Sequence, residues 1–311
     1  MTTHAIMGTD LSKASAKLVE SSDEFKALGI KKITLVHVLN LRDSQMMLDF
    51  SIDKVEKNLD KQKQILSQNG FEVNAEVIYG IPSVELQQKR REVDAELLIV
   101  GSNGLNWNSS VLGSTASELL HNMQAPILLM VMKQIKSPQQ LEPQKNFYQY
   151  EMILKEIQNQ EPDWEMYCHG ITNNILLPTD FSDFSENAFE WIVNQKVPMP
   201  KVTLMHVQDE VKIGKHLQNK LTDFNRIDTE RLKRLSETLK ANHPESEIDT
   251  MLEYGKPTQV ILNYIKQNRV TLTVMGSQGK GSIRELFLGS VSHQVARHSD
   301  SHVLIIPLPH N

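Results

Sequence analysis

Three glycines at a distinctive spacing make the stretch 275–297 the first candidate for a binding site. An apolar run ends at Gly276, Gly279 follows after two residues, and Gly289 follows after nine more. Glycines let the backbone approach a ligand closely. The first N–H groups of a helix that begins at Ser290 have no partner within that helix, and the helix dipole places positive charge there. The spacing G-x2-G-x9-G-S therefore predicts a loop and a helix N-terminus that bind a phosphate chain.

Side chains at the ends of two other predicted strands face this loop. Pro178, Thr179 and Asp180 end one apolar run, and Val207 ends another. In an open α/β sheet the carboxyl ends of the strands meet at one crevice, which places these residues opposite Met275 and the first glycine. The Asp180 carboxylate can there accept hydrogen bonds from a ribose or a base. The alternative is a carboxylate that only interacts with the N-terminus of the helix that follows.

An internal repeat positions these elements. Five landmarks recur in one order at offsets of about 170 to 176 positions, which indicates a tandem duplication of a unit of roughly 140 residues. The matching stretches are 4–10 with 174–180, 33–38 with 202–207, 79–82 with 254–257, 98–104 with 273–279, and 127–131 with 303–307.

Each unit alternates short apolar runs with helical periodicity, which is typical of an α/β fold with a parallel sheet covered on both faces. We expect two doubly wound five-stranded parallel sheets of the flavodoxin-like or Rossmann-like type. The strands predicted for the second unit are 173–179, 201–207, 247–254, 271–276 and 302–307. The helices predicted between them are 183–194, 214–242, 257–267 and 290–298.

The domain boundaries follow from the repeat. We assign residues 1–134 to the first domain, 135–171 to a linker and 172–311 to the second domain. The linker begins with polar, proline-containing sequence and then has apolar residues at helical spacing from Phe147 to Ile157, which predicts a short amphipathic helix. This helix either secures the connection or covers a ligand site.

The first unit departs from the glycine pattern. Gly101 and Gly104 are present, but Gly113 and Ser114 come one residue early, which gives G-x2-G-x8-G-S. The stretch 101–122 contains no Lys or Arg. The loop of the second unit contains Lys280 and Arg284, and a hydrogen bond to a charged group contributes about 1.5–3 kcal/mol. We therefore expect the second unit to be the principal phosphate site.

Composition excludes several classes of protein. The formal net charge is −5 and the pI is about 6.1, so we expect no nucleic-acid partner. The single cysteine, Cys168, and the lack of a signal peptide or a long apolar run predict a cytoplasmic protein that does not contact a membrane. His37 and His206 occupy matching strand ends, and without a second ligand at a fixed spacing they predict structural or pocket-lining roles and no metal site.

On these motifs the second unit resembles a universal stress protein domain of the ATP-binding type, and the whole chain resembles the tandem-domain members of that family. The most specific match is G-x2-G-x9-G-[ST], carried by Gly276, Gly279, Gly289 and Ser290. The resemblance implies an adenine nucleotide, ATP or AMP, with Mg²⁺ or Mn²⁺ on its phosphates.

The resemblance also implies roles for individual residues. In the motif of Pro178, Thr179 and Asp180, the last two would contact adenosine, while Val207 would line the adenine pocket. Gly276, which follows Met275, would lie under the ribose. The residues implied to hold phosphates are Gly279, Gly289, Ser290, Val291 and Ser292. The candidates for a weaker second site in the first unit are Asp10, Gly101, Gly104, Gly113 and Ser114.

Members of that family pair their domains edge to edge through the last strand. Here such pairing would join 126–132 with 302–307 as an intrachain pseudo-dimer, which covers two strand edges. A homodimer is left open.

The resemblance implies a stress-response protein that acts through nucleotide-dependent conformation or through an unidentified protein partner. The alternative is a non-catalytic module that binds another small ligand or a protein. We do not expect an enzyme, because the G-x4-G-K-[ST] loop of many nucleotide hydrolases is missing from the sequence. Slow ATP hydrolysis is left open. A pyrophosphatase-type reaction on a related sheet is disfavoured, because its S-G-G-x-D-S loop is also missing.

Overall fold

The computed structural model describes residues 4–39, 52–102, 112–135, 163–166, 169–209, 221–279 and 288–309. The strands of the first unit are β1 (His4–Thr9), β2 (Lys32–Leu39), β3 (Glu72–Tyr79), β4 (Leu97–Gly101) and β5 (Ile127–Met130). Its helices are α1 (Lys13–Glu20), α2 (Asp23–Lys26), α3 (Ile52–Gln68), α4 (Pro82–Glu92) and α5 (Ser114–His121). Two short strands follow, β6 (Met132–Ile135) and β7 (Asp163–Met166).

The second unit repeats this succession. Its strands are β8 (Asn174–Pro178), β9 (Lys201–Asp209), β10 (Glu247–Gly255), β11 (Leu272–Gly276) and β12 (His302–Ile306). Its helices are α6 (Asp183–Val193), α7 (Leu221–Asn242), α8 (Pro257–Asn268) and α9 (Ser290–His298). These elements confirm the predicted strands and helices to within two residues at almost every end. The exception is the start of α7, because the predicted residues 214–220 lie outside the described part of the chain.

Ten strands form one continuous sheet in the order β10-β9-β8-β11-β12-β5-β4-β1-β2-β3. Within each unit neighbouring strands are parallel, and the order is third, second, first, fourth, fifth, as in a Rossmann-like half. The order reverses between the first and fourth strands. A crevice for a ligand is expected beyond their carboxyl ends.

The two units meet at β5 and β12, which pair antiparallel. Val303 lies opposite Leu129, and Ile305 lies opposite Ile127. The predicted intrachain pairing of the last strands is therefore confirmed. It removes two strand edges that would otherwise expose unpaired N–H and C=O groups.

Each face of the sheet carries its own core. Side chains such as Leu304 pack with residues of α1, α3, α6 and α7 on one face. The next residue, Ile305, packs with residues of α4, α5, α8 and α9 on the other face. Because successive side chains of a strand alternate between faces and the sheet is continuous, both cores run through both units.

The connection between the units contains structure that the sequence did not predict. β6 and β7 pair antiparallel, with Met132 opposite Met166, and both methionine side chains are buried. Glu24 of α2 accepts hydrogen bonds from the backbone N–H groups of Gly170 and Ile171, at 2.9 and 2.8 Å. The predicted amphipathic helix lies outside the described residues, and the domain boundaries stay a prediction.

Candidate functional site

A cavity of about 440 Å³ lies at the carboxyl ends of β8, β9 and β11 and at the N-terminus of α9. This volume is in the usual range of small-molecule sites, which is roughly 300–1,000 Å³. The structure brings together at this cavity all eleven residues predicted for the second unit. They are Pro178, Thr179, Asp180, Val207, Met275, Gly276, Gly279, Gly289, Ser290, Val291 and Ser292.

The glycine-rich segment holds the N-terminus of α9 against the sheet. Gly289 is the N-cap residue of α9, and its N–H donates to the carbonyl oxygen of Ser277 at 2.8 Å. The N–H of Ser277 in turn donates to the carbonyl oxygen of Ile306 at 2.9 Å, at the end of β12. Ser290, Val291 and Ser292 of the first turn line the cavity, and N–H groups at the start of a helix can bind an anion.

Two glycines of this segment are required for different reasons. A Cβ atom on Gly276 would lie 2.5 Å from the backbone oxygen of Phe184, so this glycine permits the close approach of α6 to β11. A Cβ atom on Gly279 would lie 2.5 Å from Oδ2 of Asp180. Gly279 therefore leaves room for a carboxylate at the cavity wall, whereas the missing side chain of Gly276 serves the packing of the fold.

The turn after β8 fixes the Asp180 carboxylate. Phe181 adopts a left-handed conformation with φ of 57°. Oδ1 of Asp180 accepts hydrogen bonds from the N–H and the hydroxyl group of Ser182, at 3.1 and 2.5 Å. Ser182 is itself the N-cap of α6 and forms a capping box with Ser185. The carboxylate thus supports the turn through one oxygen, and its Oδ2 lies beside Gly279.

A polar cluster at the β9 end of the cavity involves His206. Its Nδ1 lies 2.7 Å from the carbonyl oxygen of Thr179, and because a carbonyl only accepts, Nδ1 is the donor. Its Nε2 lies 3.5 Å from Oδ2 of Asp228 on α7. Gln208 also donates to this oxygen from Nε2 at 3.0 Å. Both ring nitrogens of His206 therefore face oxygen atoms of the protein.

Aromatic and cationic side chains close the same cluster. The rings of Phe181 and His206 have centroids 4.5 Å apart. The guanidinium of Arg231 lies 5.2 Å from the Phe181 ring centroid and 3.5 Å from Oδ1 of Asp228. The network connects α7 with the turn that carries Asp180.

Sequence reasoning missed several residues that line the cavity. They are Ser185, Met205, Gln208, Asp209, Phe224, Asp228, Pro257, Ile261 and Gln278. One signal could have found Asp228: Phe224, Asp228 and the buried Leu232 are spaced four residues apart, on one face of a predicted helix. An acidic residue on the inner face of a helix is unusual unless it is paired.

The first unit repeats part of this framework. Nδ1 of His37 lies 2.8 Å from the carbonyl oxygen of Thr9, and Oδ1 of Asp10 accepts a hydrogen bond from the N–H of Ser12 at 3.0 Å. Gly101 ends β4, and Gly113 is the N-cap of α5, which begins at Ser114. Gly104 lies outside the described residues, as do Lys280 and Arg284 of the second unit. A ligand site in the first unit stays a prediction.

Two further findings concern the described ranges only. None of the helices there combines the length and the hydrophobicity that crossing a membrane requires. No group of three or more His, Cys, Asp or Glu side chains there could hold a metal ion.

Comparisons of the sequence with a family model and with known proteins identify the same family. The family model described as "Universal stress protein family" matches residues 1–130 and 172–307. The universal stress protein YxiE of Bacillus subtilis is 31% identical over 147 residues, which are 43% of this chain and 98% of the relative. The universal stress protein MJ0577 of Methanocaldococcus jannaschii is 28% identical over 155 residues, covering 42% of this chain and 93% of the relative.

A solved structure matches both units together. It is the crystal structure of a universal stress protein from Archaeoglobus fulgidus, with a TM-score of 0.68 and 22% sequence identity. The match covers 99% of each chain. At this level of identity the match supports the tandem fold.

Proposed function

Since the chain belongs to the universal stress protein family, we propose that its second unit binds an adenine nucleotide, ATP or AMP, in the described cavity. The protein would act in a stress response through nucleotide-dependent conformation or through binding of a protein partner. One observation carries the proposal: the cavity is lined by the N-terminus of α9, which follows β11, and by the carboxylate of Asp228 beside β9, two strands away. This arrangement fits a ligand with phosphates at one end and hydroxyl or amine donors at the other.

At the phosphate end, the backbone N–H groups of Gly279, Ser290 and Val291 are the proposed donors. The hydroxyl of Ser292 donates to the carbonyl oxygen of Gly276 at 2.8 Å, so Ser292 would contribute through its backbone N–H group. A bound Mg²⁺ or Mn²⁺ would take its ligands from phosphate oxygens and water.

At the nucleoside end, Asp180 is the proposed acceptor for ribose hydroxyl groups. Its Oδ2 lies beside Gly279, between the phosphate end and β9. Apolar side chains of Met205, Val207 and Ile261 line the cavity further along and would pack against the base.

We propose that the protein is cytoplasmic. We also propose that it binds ATP without hydrolysing it rapidly. A catalytic base needs a nitrogen or oxygen that can take a proton from water. His206 is not placed for this role, because its two ring nitrogens face the Thr179 carbonyl and the Asp228 carboxylate. Rapid ATP hydrolysis that disappears in Gly289→Asp would contradict this part of the proposal.

The test is calorimetric titration of the nucleotide-stripped protein with ATP and magnesium, beside Gly289→Asp, Gly289→Ala and Gly113→Asp. A Cβ atom on Gly289 would lie 3.1 Å from Cα of Gln278, so Gly289→Ala measures the steric effect alone. The added carboxylate of Gly289→Asp also repels phosphate. We expect one site per chain, lost in Gly289→Asp, weakened less in Gly289→Ala and unchanged in Gly113→Asp.

Other outcomes have definite meanings. Two sites in the wild-type chain, one of them lost in Gly113→Asp, would show that the first unit also binds nucleotide. Absence of binding in the wild-type chain would refute the proposal and favour a module that binds another ligand or a protein. That second candidate is favoured by one observation, the exposed apolar side chains of Tyr79, Ile81 and Val84 in the first unit. Mass spectrometry of copurified ligands distinguishes the two candidates.

A further inference from the structure

The carboxylate of Asp228 is an unusual group in the wall of this cavity. Asp228 lies on α7 with its side chain only 14% exposed. The same cavity is lined by the apolar side chains of Val207, Phe224 and Ile261. A carboxylate in such surroundings needs hydrogen-bond donors, because burial penalises its charge.

The protein supplies donors mainly to one oxygen of this carboxylate. Oδ2 faces Nε2 of Gln208 at 3.0 Å and Nε2 of His206 at 3.5 Å. Oδ1 faces Arg231 at 3.5 Å, and the Arg231 side chain is 49% exposed. A contact this long to a solvated guanidinium contributes little. Since a carboxylate has about four lone-pair positions, Oδ1 can accept a hydrogen bond from a ligand.

The position of Asp228 determines which part of a nucleotide can reach it. It contacts side chains of β9, and β9 is separated from β11 by β8 alone. Two interstrand spacings are about 10 Å, comparable to the length of a nucleoside. Phosphates at the N-terminus of α9 therefore place the base, and not the ribose, near β9. In the reversed orientation the phosphates would lie near β9, where the Asp228 carboxylate would repel them.

We propose that Asp228 is a specificity-determining residue that accepts a hydrogen bond from the exocyclic amine of the base. The inference rests on the proposed function, because it requires a nucleotide in the cavity. Adenine carries an amine at carbon 6, whereas hypoxanthine has a carbonyl oxygen there, which a carboxylate repels. Gln208 holds the carboxylate in place by a hydrogen bond to Oδ2.

The position of the first unit that matches Asp228 in sequence carries no carboxylate. The buried residues Leu59 of α3 and Leu232 of α7 occupy matching positions, and the same alignment matches Asp228 with Val55. In β2, Leu39 matches Gln208. Amine recognition is thus built into the second unit and not into the repeated framework.

The experiment measures the dissociation constants of ATP and inosine triphosphate for the wild-type chain, Asp228→Asn and Asp223→Asn. Asp223 is an exposed acid on the same helix, so its variant has the same change of charge. We expect the wild type to prefer ATP by about 10- to 100-fold, the usual effect of a hydrogen bond to a charged group. The preference should fall to less than about 3-fold in Asp228→Asn and persist in Asp223→Asn.

The ratio of the two ligands within one variant is insensitive to a general loss of folded protein. A wild type that binds ATP and inosine triphosphate equally would overturn the inference and leave the nucleotide site intact. Equal weakening of both ligands in Asp228→Asn would also overturn it, since Asp228 would then only support the fold of the site. Tighter binding of GTP than of ATP would overturn the assignment to a 6-amino base. Binding of neither triphosphate would instead refute the proposed function.

Discussion

The two glycines at 276 and 279 allow the fold and the ligand site to be perturbed separately. In Gly276→Ala the new methyl group would lie 2.5 Å from the backbone oxygen of Phe184 and 2.6 Å from its carbonyl carbon. These are backbone atoms, so α6 has to move away from β11. Overpacking of this severity costs about 3 kcal/mol, the upper part of the usual range. Alanine also lowers the conformational entropy of the unfolded chain, which offsets about 0.4–1 kcal/mol of this loss of stability.

The free energy of unfolding should therefore fall by about 2 kcal/mol. At about 2–4 °C per kcal/mol, the scaling of large domains, this lowers Tm by about 4–8 °C. In Gly279→Ala the methyl group meets a side-chain atom, Oδ2 of Asp180, at 2.5 Å. This oxygen can shift without any movement of the backbone, while Oδ1 keeps its bonds to Ser182. Stability should then change by less than about 1 kcal/mol. Affinity for ATP should fall about 10- to 100-fold, because a charged acceptor for the ribose is displaced.

Differential scanning calorimetry and ATP titration of both variants provide the test, with Gly113→Ala as a matched control in the first unit. The control should keep the wild-type affinity for ATP. An unchanged or raised Tm in Gly276→Ala would show that α6 yields without cost and that the steric reasoning is wrong. Wild-type affinity in Gly279→Ala would show that the position of the Asp180 carboxylate is irrelevant to the ligand.

Three further predictions concern stability. Burial lowers the pKa of His293 below 6.5, and so do the His121 ring, whose centroid is 6.0 Å away, and the basic side chains of Arg297 and His298. The unfolded chain therefore binds a proton at this position at a higher pH than the folded chain does. Urea unfolding should show that stability falls as the pH drops below about 6.5, and that it falls less steeply in His293→Gln. Glu24→Ala should lower stability by about 2 kcal/mol or more, because two N–H donors near residue 170 lose their acceptor, whereas Glu24→Gln should lose less. Ser292→Ala should lower it by about 1 kcal/mol through loss of the buried bond to Gly276; an unchanged midpoint would contradict this.

Local sequence patterns predicted most of the architecture. The apolar run before Gly276 is β11. The predicted helix 257–267 is α8, which begins at Pro257, where the missing N–H has no partner to lose. Such features depend on residues a few positions apart, because strands and helices have short periods. The candidate loop was found for the same reason, since its glycines and the start of α9 are neighbours in sequence.

Sequence analysis predicted neither the pairing of β6 with β7 nor the contact between Asp228 and Gln208. Met132 and Met166 pair across more than thirty residues, and two four-residue strands have too few alternating positions to produce a pattern. Asp228 meets Gln208 only because α7 packs over the end of β9. Contacts of this kind depend on the positions and angles at which helices pack on the sheet, and a single sequence does not show these.

The amino-acid sequence was sufficient to identify the duplication, the succession of strands and helices along the chain, and the candidate residues at the ends of β8, β9 and β11. The contacts of each residue came from the tertiary structure alone. Gly276 lies at the cavity as predicted, and the structure adds that a side chain there would meet Phe184, whereas Gly279 makes room for Asp180. The reason is physical: spacing along the chain specifies where the backbone turns, but the atoms that fill the space beside each turn come from elements distant in sequence.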